Sequence, residues 1–396
     1  MSLNQTPNSN RLHIGIFGKR NTGKSSLINA ITKQNVSIVS SVAGTTTDTV
    51  KKTMEINGLG PCLFIDTPGF DDTGYLGNLR NKKTLETLNQ IDIAIILINN
   101  PDFEEELGFI KKISHTPKII LINKIDCLNT DCLFALEKKI LEKTGLKAIK
   151  VSASQSLNLN ELIKNLIKIK PYNEVSLTGG LIQKNDSVLL VMPQDIQAPQ
   201  GRLILPQVQV MRDLLDNKAI VTCVTKDNFL NALKNLCREP ELIITDSQIF
   251  KFVYENTPKN IKITSFSILF ARHKGDIQEF IKGADWIDKL SPNSKILIAE
   301  ACTHVPLDED IGRIKIPRLL KKYLGFDLKI DFARGNNFPE DLSLYDLIIH
   351  CGACMFNRTF MISRISQAKE QNIHMTNYGL AIAKLNNILD KIYLFT

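Results

Sequence analysis

Residues of metal-ligand type are concentrated near the end of the chain. Residues 350–354 read HCGAC, so that Cys351 and Cys354 stand three positions apart directly behind a histidine. Two cysteines at this spacing can turn both sulfur atoms toward one metal ion or cluster. A second segment, which reads CTH, adds Cys302 and His304. The combined pattern C-x-H…H-C-x-x-C indicates a metal site.

The ligand set is compatible with zinc, with an iron–sulfur cluster or with a redox-active cysteine pair. A closed zinc site takes four ligands, which the cysteines and one histidine would provide. Two features favour iron: the surrounding sequence has strands enough to fold without a structural metal, and the pattern holds more ligands than one closed site uses. One coordination position is then exchangeable. The candidates for it are His304, His350 and, within LDEDIG at 307–312, Asp310.

A phosphate-binding motif lies near the start of the chain. Residues 18–25 read GKRNTGKS, which matches G-x-x-x-x-G-K-[ST] between an apolar strand-like run and a helix-like segment. In such a loop successive backbone N–H groups face the phosphates, the lysine reaches the β and γ oxygens, and the hydroxyl ligates Mg²⁺. Lys24 is therefore a candidate catalytic residue and Ser25 a candidate Mg²⁺ ligand. The candidate nucleotide-binding residues here are Gly18, Asn21, Thr22, Gly23, Lys24, Ser25 and Ser26.

A second motif, DTPG at 66–69, follows another strand-like run. The Asp66 carboxylate can hold the hydration shell of Mg²⁺, and the N–H of Gly69 can sense a γ-phosphate. Both are candidate catalytic residues.

The motifs NKID at 123–126 and SAS at 152–154 predict a base site. The Asp126 carboxylate can accept from both N–H groups on the guanine edge, which adenine does not offer, and this selects GTP over ATP. The SAS segment would supply a backbone N–H to the guanine oxygen. The candidate base-binding residues are Asn123, Lys124, Asp126, Ser152 and Ala153.

These motifs resemble those of the small regulatory GTPases, most closely the branch with the tRNA-modification and ribosome-assembly GTPases. GTTTD at 44–48 fits the switch I pattern of that branch, which implies that Thr46 is a Mg²⁺ ligand and a catalytic residue. The resemblance also implicates Asn21 and the SVAGTT loop in binding K⁺, although a loop residue bonding its own backbone explains Asn21 equally well. Phe70 stands where Ras-like enzymes carry a water-orienting glutamine, so hydrolysis is expected to be slow and regulatory.

Alternating elements are predicted to position these residues. From 11 to 170, apolar runs such as DIAIILINN (92–100) alternate with amphipathic helical stretches, which predicts an α/β fold with a parallel sheet and helices on both faces. The same rhythm recurs in 172–265, a stretch without a chemical constellation, for which a structural or association role is predicted. Three later strand-like runs end in CTH, ARG and HCGAC, and these ends should converge because the carboxyl ends of parallel strands lie side by side.

Composition limits the function classes. The 396 residues, 43% hydrophobic and 23% charged, fit two or three globular domains. The net charge of +8 is thinly spread, and its densest cluster, RNKK at 80–83, lacks interleaved aromatic residues, so no nucleic-acid partner is predicted. Neither a membrane span nor a secretion signal is recognisable, which predicts a cytoplasmic protein without a membrane partner. The five cysteines before residue 300 have no ligand-like spacing.

Over its whole length the chain resembles the HydF family, the maturation GTPases of [FeFe]-hydrogenase. The resemblance rests on the GTPase motifs, on GRLILPQVQVMRDLLDN (201–217), on EACTHVPLDEDIGRIKIPR (300–318) and on HCGAC. It implies three domains. These are a P-loop GTPase domain at 1–172, a small αβ dimerisation domain at 173–265 and a C-terminal αβ iron–sulfur cluster-binding domain at 266–396.

The resemblance also implies a role for each part. GTP and Mg²⁺ would occupy the N-terminal site of a homodimer, and Cys302, Cys351 and Cys354 would hold a [4Fe–4S] cluster. Such a protein is a scaffold that receives a diiron precursor made by radical-SAM maturases and delivers it to the apo-[FeFe]-hydrogenase, and Arg334 could contact that anionic cargo. Two competing interpretations are a K⁺-stimulated RNA- or ribosome-associated GTPase with a C-terminal structural zinc site and a GTP-gated electron-transfer protein.

Overall fold

The computed structural model describes residues 6–33, 37–42, 50–67, 69, 87–171, 176–193, 203–301, 310–335 and 337–393, with backbone alone for 33 and 37–42. The chain divides into two compact units, Met1–Asn173 and Glu174–Thr396, called the N-terminal and C-terminal units below. Among the described residues no helix is both long and apolar enough to span a membrane.

The N-terminal unit is built on a seven-stranded sheet of order β2-β3-β4-β1-β5-β6-β7. Strand β3 runs antiparallel to β2 and β4, whereas the other neighbours are parallel. The strands are β1 Leu12–Phe17, β2 Ser37–Val42, β3 Lys51–Ile56, β4 Gly60–Asp66, β5 Ile93–Leu97, β6 Lys118–Ile122 and β7 Ile149–Lys150.

Helices cover both faces of this sheet. Strand β5 shows why: Ile93 and Ile95 enter one apolar core with α1 and α4, and Ala94 and Ile96 enter a second core with α2 and α3. A strand buried on both faces needs such a continuous apolar sequence. The α/β fold predicted from the sequence is thereby confirmed. The helices are α1 Lys24–Lys33, α2 Glu104–Lys112, α3 Thr130–Thr144 and α4 Leu159–Ile169.

The C-terminal unit contains two parallel four-stranded sheets. The first has the order β11-β10-β8-β9 and the second the order β13-β12-β14-β15. The strands of the first are β8 Ser187–Val191, β9 Ile220–Val224, β10 Leu242–Thr245 and β11 Lys262–Ser265. Those of the second are β12 Lys295–Glu300, β13 Lys329–Arg334, β14 Leu347–His350 and β15 His374–Asn377.

Eight helices accompany these strands in the described part of the unit. They are α5 Leu205–Asp216, α6 Phe229–Asn235, α7 Phe250–Glu255, α8 Phe266–Lys274, α9 Ile277–Trp286, α10 Ile316–Leu324, α11 Arg358–Glu370 and α12 Tyr378–Leu385. A turn of π-helix, Ile311–Lys315, precedes α10, and the Asp310 side chain caps it by accepting from the Arg313 N–H at 2.9 Å.

The two sheets repeat one topology. In each, the first strand of the sequence lies between the second and the third, and the fourth lies outside the third. One apolar core contains Leu189 and Ile243 of the first sheet together with Ile348 and Met375 of the second. In such a sheet the crevice for ligands opens beyond the carboxyl ends of the first and third strands. In the second sheet these strands are β12 and β14, which CTH and HCGAC follow in the sequence.

Candidate functional site

The loop between β1 and α1 has the backbone geometry that a phosphate cradle requires. Gly18 and Gly23 have φ angles of 150° and 92°, values that residues with a Cβ rarely adopt. A Cβ at Gly18 would also lie 2.8 Å from the Leu97 carbonyl oxygen, and one at Gly23 would collide with the Asn123 side chain. Both positions therefore require glycine.

Lys24 and Ser25 lie at the start of α1, beside the end of β4. The Lys24 Nζ donates to the carbonyl oxygens of Gly18 and Lys19, both at 2.9 Å, so the loop curls around the ammonium group. The Ser25 hydroxyl donates to Asp66 Oδ2. Burial raises the pKa of the Asp66 carboxyl, and the bond from Ser25 opposes that rise. Two of the candidate groups for Mg²⁺ binding, Ser25 and Asp66, are thus in direct contact.

The base-site candidates converge from two strands. The Asn123 side chain donates to the Thr22 carbonyl at 2.8 Å and accepts from the Ala153 N–H at 3.1 Å, so it ties the phosphate loop to the SAS segment. The exposed Asp126 carboxylate accepts from the Ser154 hydroxyl at 3.1 Å. The hydrogen bond from Ser152 lowers the pKa of Asp126, and the bond from Ser154 has a smaller effect in the same direction, so the carboxylate stays ionised. An anionic acceptor is therefore held beside the loop.

One residue of this region, Asn99, belongs to none of the sequence motifs. Asn99, just beyond β5, donates to the Thr22 carbonyl at 3.1 Å and accepts from the Asn123 N–H at 3.3 Å. Thr22 is therefore clamped by two amide side chains. Only its place in the sequence could have indicated this role. Asn99 follows β5, and because β5 neighbours β1, the carboxyl end of β5 must lie beside the phosphate loop.

For the remaining described candidates of the nucleotide site, we note the backbone conformation or the exposure of each residue. Asn21 is exposed with a left-handed φ of 60°, Ser26 is exposed in the first turn of α1, and Gly69 is buried. Lys124 adopts the left-handed conformation that leads into the short turn bearing Asp126. Thr46, most of the SVAGTT loop and Phe70 lie outside the described residues.

HCGAC begins at the end of β14 and is pinned to β12. The Cys351 N–H donates to the Ala299 carbonyl at 2.8 Å, and the Ala301 N–H donates to the Cys351 sulfur at 3.1 Å. Burial raises the pKa of the Cys351 thiol, whereas N–H groups of Ala301 and Ala353 act in the opposite direction. A thiol in this setting gains its negative charge most readily when a metal ion offsets the desolvation.

The rest of the predicted ligand set is divided by what the structure describes. Cys302 and His304 lie outside the described residues. Within the described ranges no group of three or more His, Cys, Asp and Glu side chains is placed to hold a metal ion. The described surroundings of Cys351 are compatible with an iron–sulfur cluster, because the sulfur atoms of cluster ligands usually accept hydrogen bonds from backbone N–H groups.

His350, one candidate for the exchangeable position, is fully buried and has both ring nitrogens engaged. Nδ1 lies 2.6 Å from the Cys351 carbonyl oxygen, and Nε2 lies 2.7 Å from the Arg364 guanidinium. Because the guanidinium only donates, Nε2 accepts and Nδ1 carries the proton. Burial, with Arg364 adding to it, lowers the pKa of His350 to about 3. Ligation through this ring would require one of these bonds to break.

Two charged groups complete the edge of this crevice. The Asp310 carboxylate caps the π-helical turn through Oδ1. Burial raises the pKa of the Tyr378 hydroxyl, and the neighbouring Cys351, Glu300 and Asp310 add to that rise. Arg334 pairs with Glu300 at 2.9 Å, so its guanidinium is already committed to a carboxylate in this structure.

Two family models match the C-terminal unit. The hydrogen maturase F (HydF) dimerization domain matches residues 177–275, the HydF tetramerization domain matches residues 278–393, and together they account for more than half of the chain. The chain belongs to the HydF family. The resemblance found in the sequence is thereby confirmed, and the two HydF models identify the C-terminal unit as oligomer-forming.

A third model, for the 50S ribosome-binding GTPases, matches residues 13–124 of this HydF-family chain. The N-terminal unit is a GTPase domain, the class of domain that hydrolyses GTP. The chain is similar to the tRNA modification GTPase MnmE of Flavobacterium johnsoniae, with 31% identity over 46% of this chain and 39% of the relative. It is also similar to the GTPase Der of Mycoplasmopsis pulmonis, with 36% identity over 43% of this chain and 42% of the relative.

The chain thus spans about two fifths of the length of these two relatives. Among solved structures, a variant of Era from Aquifex aeolicus bound to GDP and AlF₄⁻ is similar at 22% identity. That similarity covers 54% of this chain and 92% of the Era chain, with a TM-score of 0.35.

Proposed function

We propose that this HydF-family protein hydrolyses GTP and carries an iron–sulfur cluster as a scaffold in hydrogenase maturation. In this role it receives a diiron precursor from radical-SAM maturases and delivers it to the apo-[FeFe]-hydrogenase. The observation that carries the proposal is the joining, in one chain, of a GTPase domain to a cysteine loop (residues 351–357) at the carboxyl end of β14 in a HydF-type sheet.

In the GTPase reaction, the residues of the N-terminal unit would position the nucleotide and stabilise charge. Lys24 would exchange its carbonyl partners for the β- and γ-phosphate oxygens, while Ser25 and Asp66 would bind Mg²⁺ and its water shell. The ionised Asp126 would accept from the guanine N–H groups, and Asn123 would hold the phosphate and base loops in register. The reaction then depends mainly on positioning and electrostatics.

For the cluster, we propose Cys302, Cys351 and Cys354 as the three thiolate ligands of a [4Fe–4S] group. When bound, such a group supplies one iron whose last ligand can be exchanged, which suits a carrier. The N–H groups of Ala301 and Ala353 would stabilise the Cys351 thiolate. Of the described candidates for the fourth position, Asp310 is preferred to His350, because both ring nitrogens of His350 are already bonded.

Metal analysis of anaerobically purified full-length protein tests the cluster. We expect about four iron atoms and matching sulfide per chain, with the visible absorption and, after reduction, the EPR signal of a [4Fe–4S] centre. Cys351→Ala should lose most of the iron, because two thiolates do not retain the cluster. Cys237→Ala, an exposed cysteine of the same unit, is the matched control and should keep it. Colourless protein with one zinc and no iron would overturn the proposal and favour the zinc-containing, ribosome-associated alternative.

The oligomer has a candidate surface in the first sheet of the C-terminal unit. Strand β9 is one of the two outer strands of that sheet, reads IVTCV, and exposes 54% of Ile220. An exposed apolar edge of this kind is a template for pairing with another chain. We propose that a second copy pairs along β9, which agrees with the dimerization-domain match of this region.

Placing a charge on the edge strand tests this interface. Ile220→Lys should block strand pairing and lower the mass measured by light scattering to about half of the wild-type value. Leu141→Lys, at an exposed leucine of α3, is the control and should leave the mass unchanged. An unaltered mass for the Ile220→Lys protein would place the interface elsewhere.

A further inference from the structure

A buried lysine holds the backbone of the cysteine loop. Lys274, the last residue of α8, is 3% exposed, and its Nζ donates to the carbonyl oxygens of Ala353, Cys354 and Phe356 at 3.1, 2.9 and 2.8 Å. An ammonium group has three N–H donors, so it can bond all three carbonyls at once. The contact therefore suits the charged form of the lysine.

These carbonyls belong to a segment that needs external support. Ala353 is buried and has a left-handed φ of 45°, a conformation that costs free energy for a residue with a Cβ. Three carbonyl oxygens of one short loop point to a single donor, and an unmatched buried carbonyl is costly. Lys274 offsets both costs, and thereby fixes the path of the chain through Cys354.

The attachment is reciprocal. Arg358, the first residue of α11, follows the cysteine loop, and its Nη1 donates to the carbonyl oxygens of His273 at 2.6 Å and Gly275 at 3.0 Å. These carbonyls lie at the carboxyl end of α8, where helix carbonyls have no partner within the helix. The end of α8 and the cysteine loop are therefore bonded in both directions.

The attachment also joins two parts of the chain with different family matches. Helix α8 follows β11 directly, and Ser265, the last residue of β11, is its N-cap. The helix lies within the dimerization-domain match at 177–275. The cysteine loop lies within the tetramerization-domain match at 278–393. A helix of nine residues thus connects the first sheet to the loop that bears Cys354.

We propose that Lys274 is a positioning residue for the cysteine loop and couples its conformation to the first sheet of the C-terminal unit. The consequence for a bound cluster rests on the proposed function, whereas the effect on the loop without a cluster does not. Lys274 contacts loop carbonyls and no reacting atom, so it acts through the two cysteines.

Thiol alkylation of the cluster-free, full-length protein tests the loop itself. The tryptic peptide 335–358 contains both Cys351 and Cys354, and peptide 125–138, with Cys127 and Cys132, is an internal reference. Lys274→Met should raise the N-ethylmaleimide labelling rate of the first peptide about tenfold relative to the second, since loss of bonds to a charged donor favours local opening. Lys274→Arg, which keeps the charge and the donors, should restore most of the protection.

Lys282→Met, at an exposed lysine of α9, is the matched control and should label as the wild type does. If Lys274→Met is recovered only unfolded, Lys274→Gln replaces it, and an intermediate labelling rate is expected because two N–H donors remain. A labelling rate within twofold of the wild type in folded Lys274→Met protein, or in folded Lys274→Gln protein where that variant replaces it, would overturn the proposal.

A second measurement uses protein reconstituted with iron and sulfide. Lys274→Met should release iron to a chelator several-fold faster and shift the reduction potential of the cluster to a more negative value, because a positive charge is removed beside the loop. Lys274→Arg should reverse both effects. If the wild type binds no cluster, the proposed scaffold function fails while the labelling result stands. A cluster with the same potential and release rate in all variants would overturn the positioning role.

Discussion

Lys24→Ala is expected to reduce GTP turnover to the background rate while leaving the proposed cluster in place. The Lys24 ammonium lies 2.9 Å from two loop carbonyls, where it can reach the phosphates that the loop is shaped to hold. Removal of a positive group that stabilises transition-state charge costs a factor of about 10²–10³ or more in rate. Phosphate release from GTP at saturating Mg²⁺ measures the effect.

Iron content measures the second half of this prediction. Lys24 and the cysteine loop belong to different compact units, so the variant should retain the wild-type amount of iron. Lys138→Ala, at an exposed lysine of α3, is the control for a lost surface charge. It should keep the GTP turnover and the iron content of the wild type. Loss of iron from the Lys24→Ala protein would show that the cluster depends on the nucleotide site, contrary to the modular arrangement.

Asp126→Asn is expected to weaken GTP binding about 100-fold or more and to shift the preference toward xanthosine triphosphate. The ionised carboxylate presents only acceptors, which match the two N–H groups of guanine. An asparagine amide turns one donor toward a guanine donor, whereas xanthine offers a carbonyl oxygen at that position. Equilibrium binding of both nucleotides to the wild type and the variant measures the change.

The control is Asp131→Asn, which removes a carboxylate at an exposed position in the first turn of α3. It should bind GTP as the wild type does. If Asp126→Asn keeps its preference for GTP, another residue reads the base and the proposed base site is misplaced.

The loops of the candidate nucleotide site could be located in the sequence because the groups that would face a ligand stand close together in it. GKRNTGKS and NKID each contain, within a few residues, both the groups that would face the ligand and the glycine or turn that presents them. The sheet was equally predictable, because strands such as IAIIL are apolar throughout and must be covered on both faces. Local pattern and fold therefore agreed in the N-terminal unit.

The supporting contacts were not predictable for the opposite reason. Asn99 is 77 residues from its partner Thr22, and Lys274 is about eighty residues from the carbonyls that it holds. A single bond from a side chain to a distant carbonyl leaves no periodicity or spacing in the sequence. Only the order of the strands brings these groups together.

His350 illustrates the same limit within one motif. Its adjacency to Cys351 made it a candidate ligand, since histidine beside cysteine is common in metal sites. Its actual partner, Arg364, is fourteen residues further along and lies in α11. Nothing in HCGAC indicates that the ring would be enclosed and bonded on both nitrogens.

The apolar core shared by the two sheets of the C-terminal unit limits how this protein can be recombined with its relatives. A chimera joined at residues 173 and 174 would inherit each compact unit whole, so one GTPase domain could replace another. A junction between β11 and β12 would separate Leu189 and Ile243 from Ile348 and Met375, and would take Lys274 from one parent and its acceptors from the other. A functional chimera should therefore take the cysteine loop and the first sheet of the C-terminal unit from the same parent.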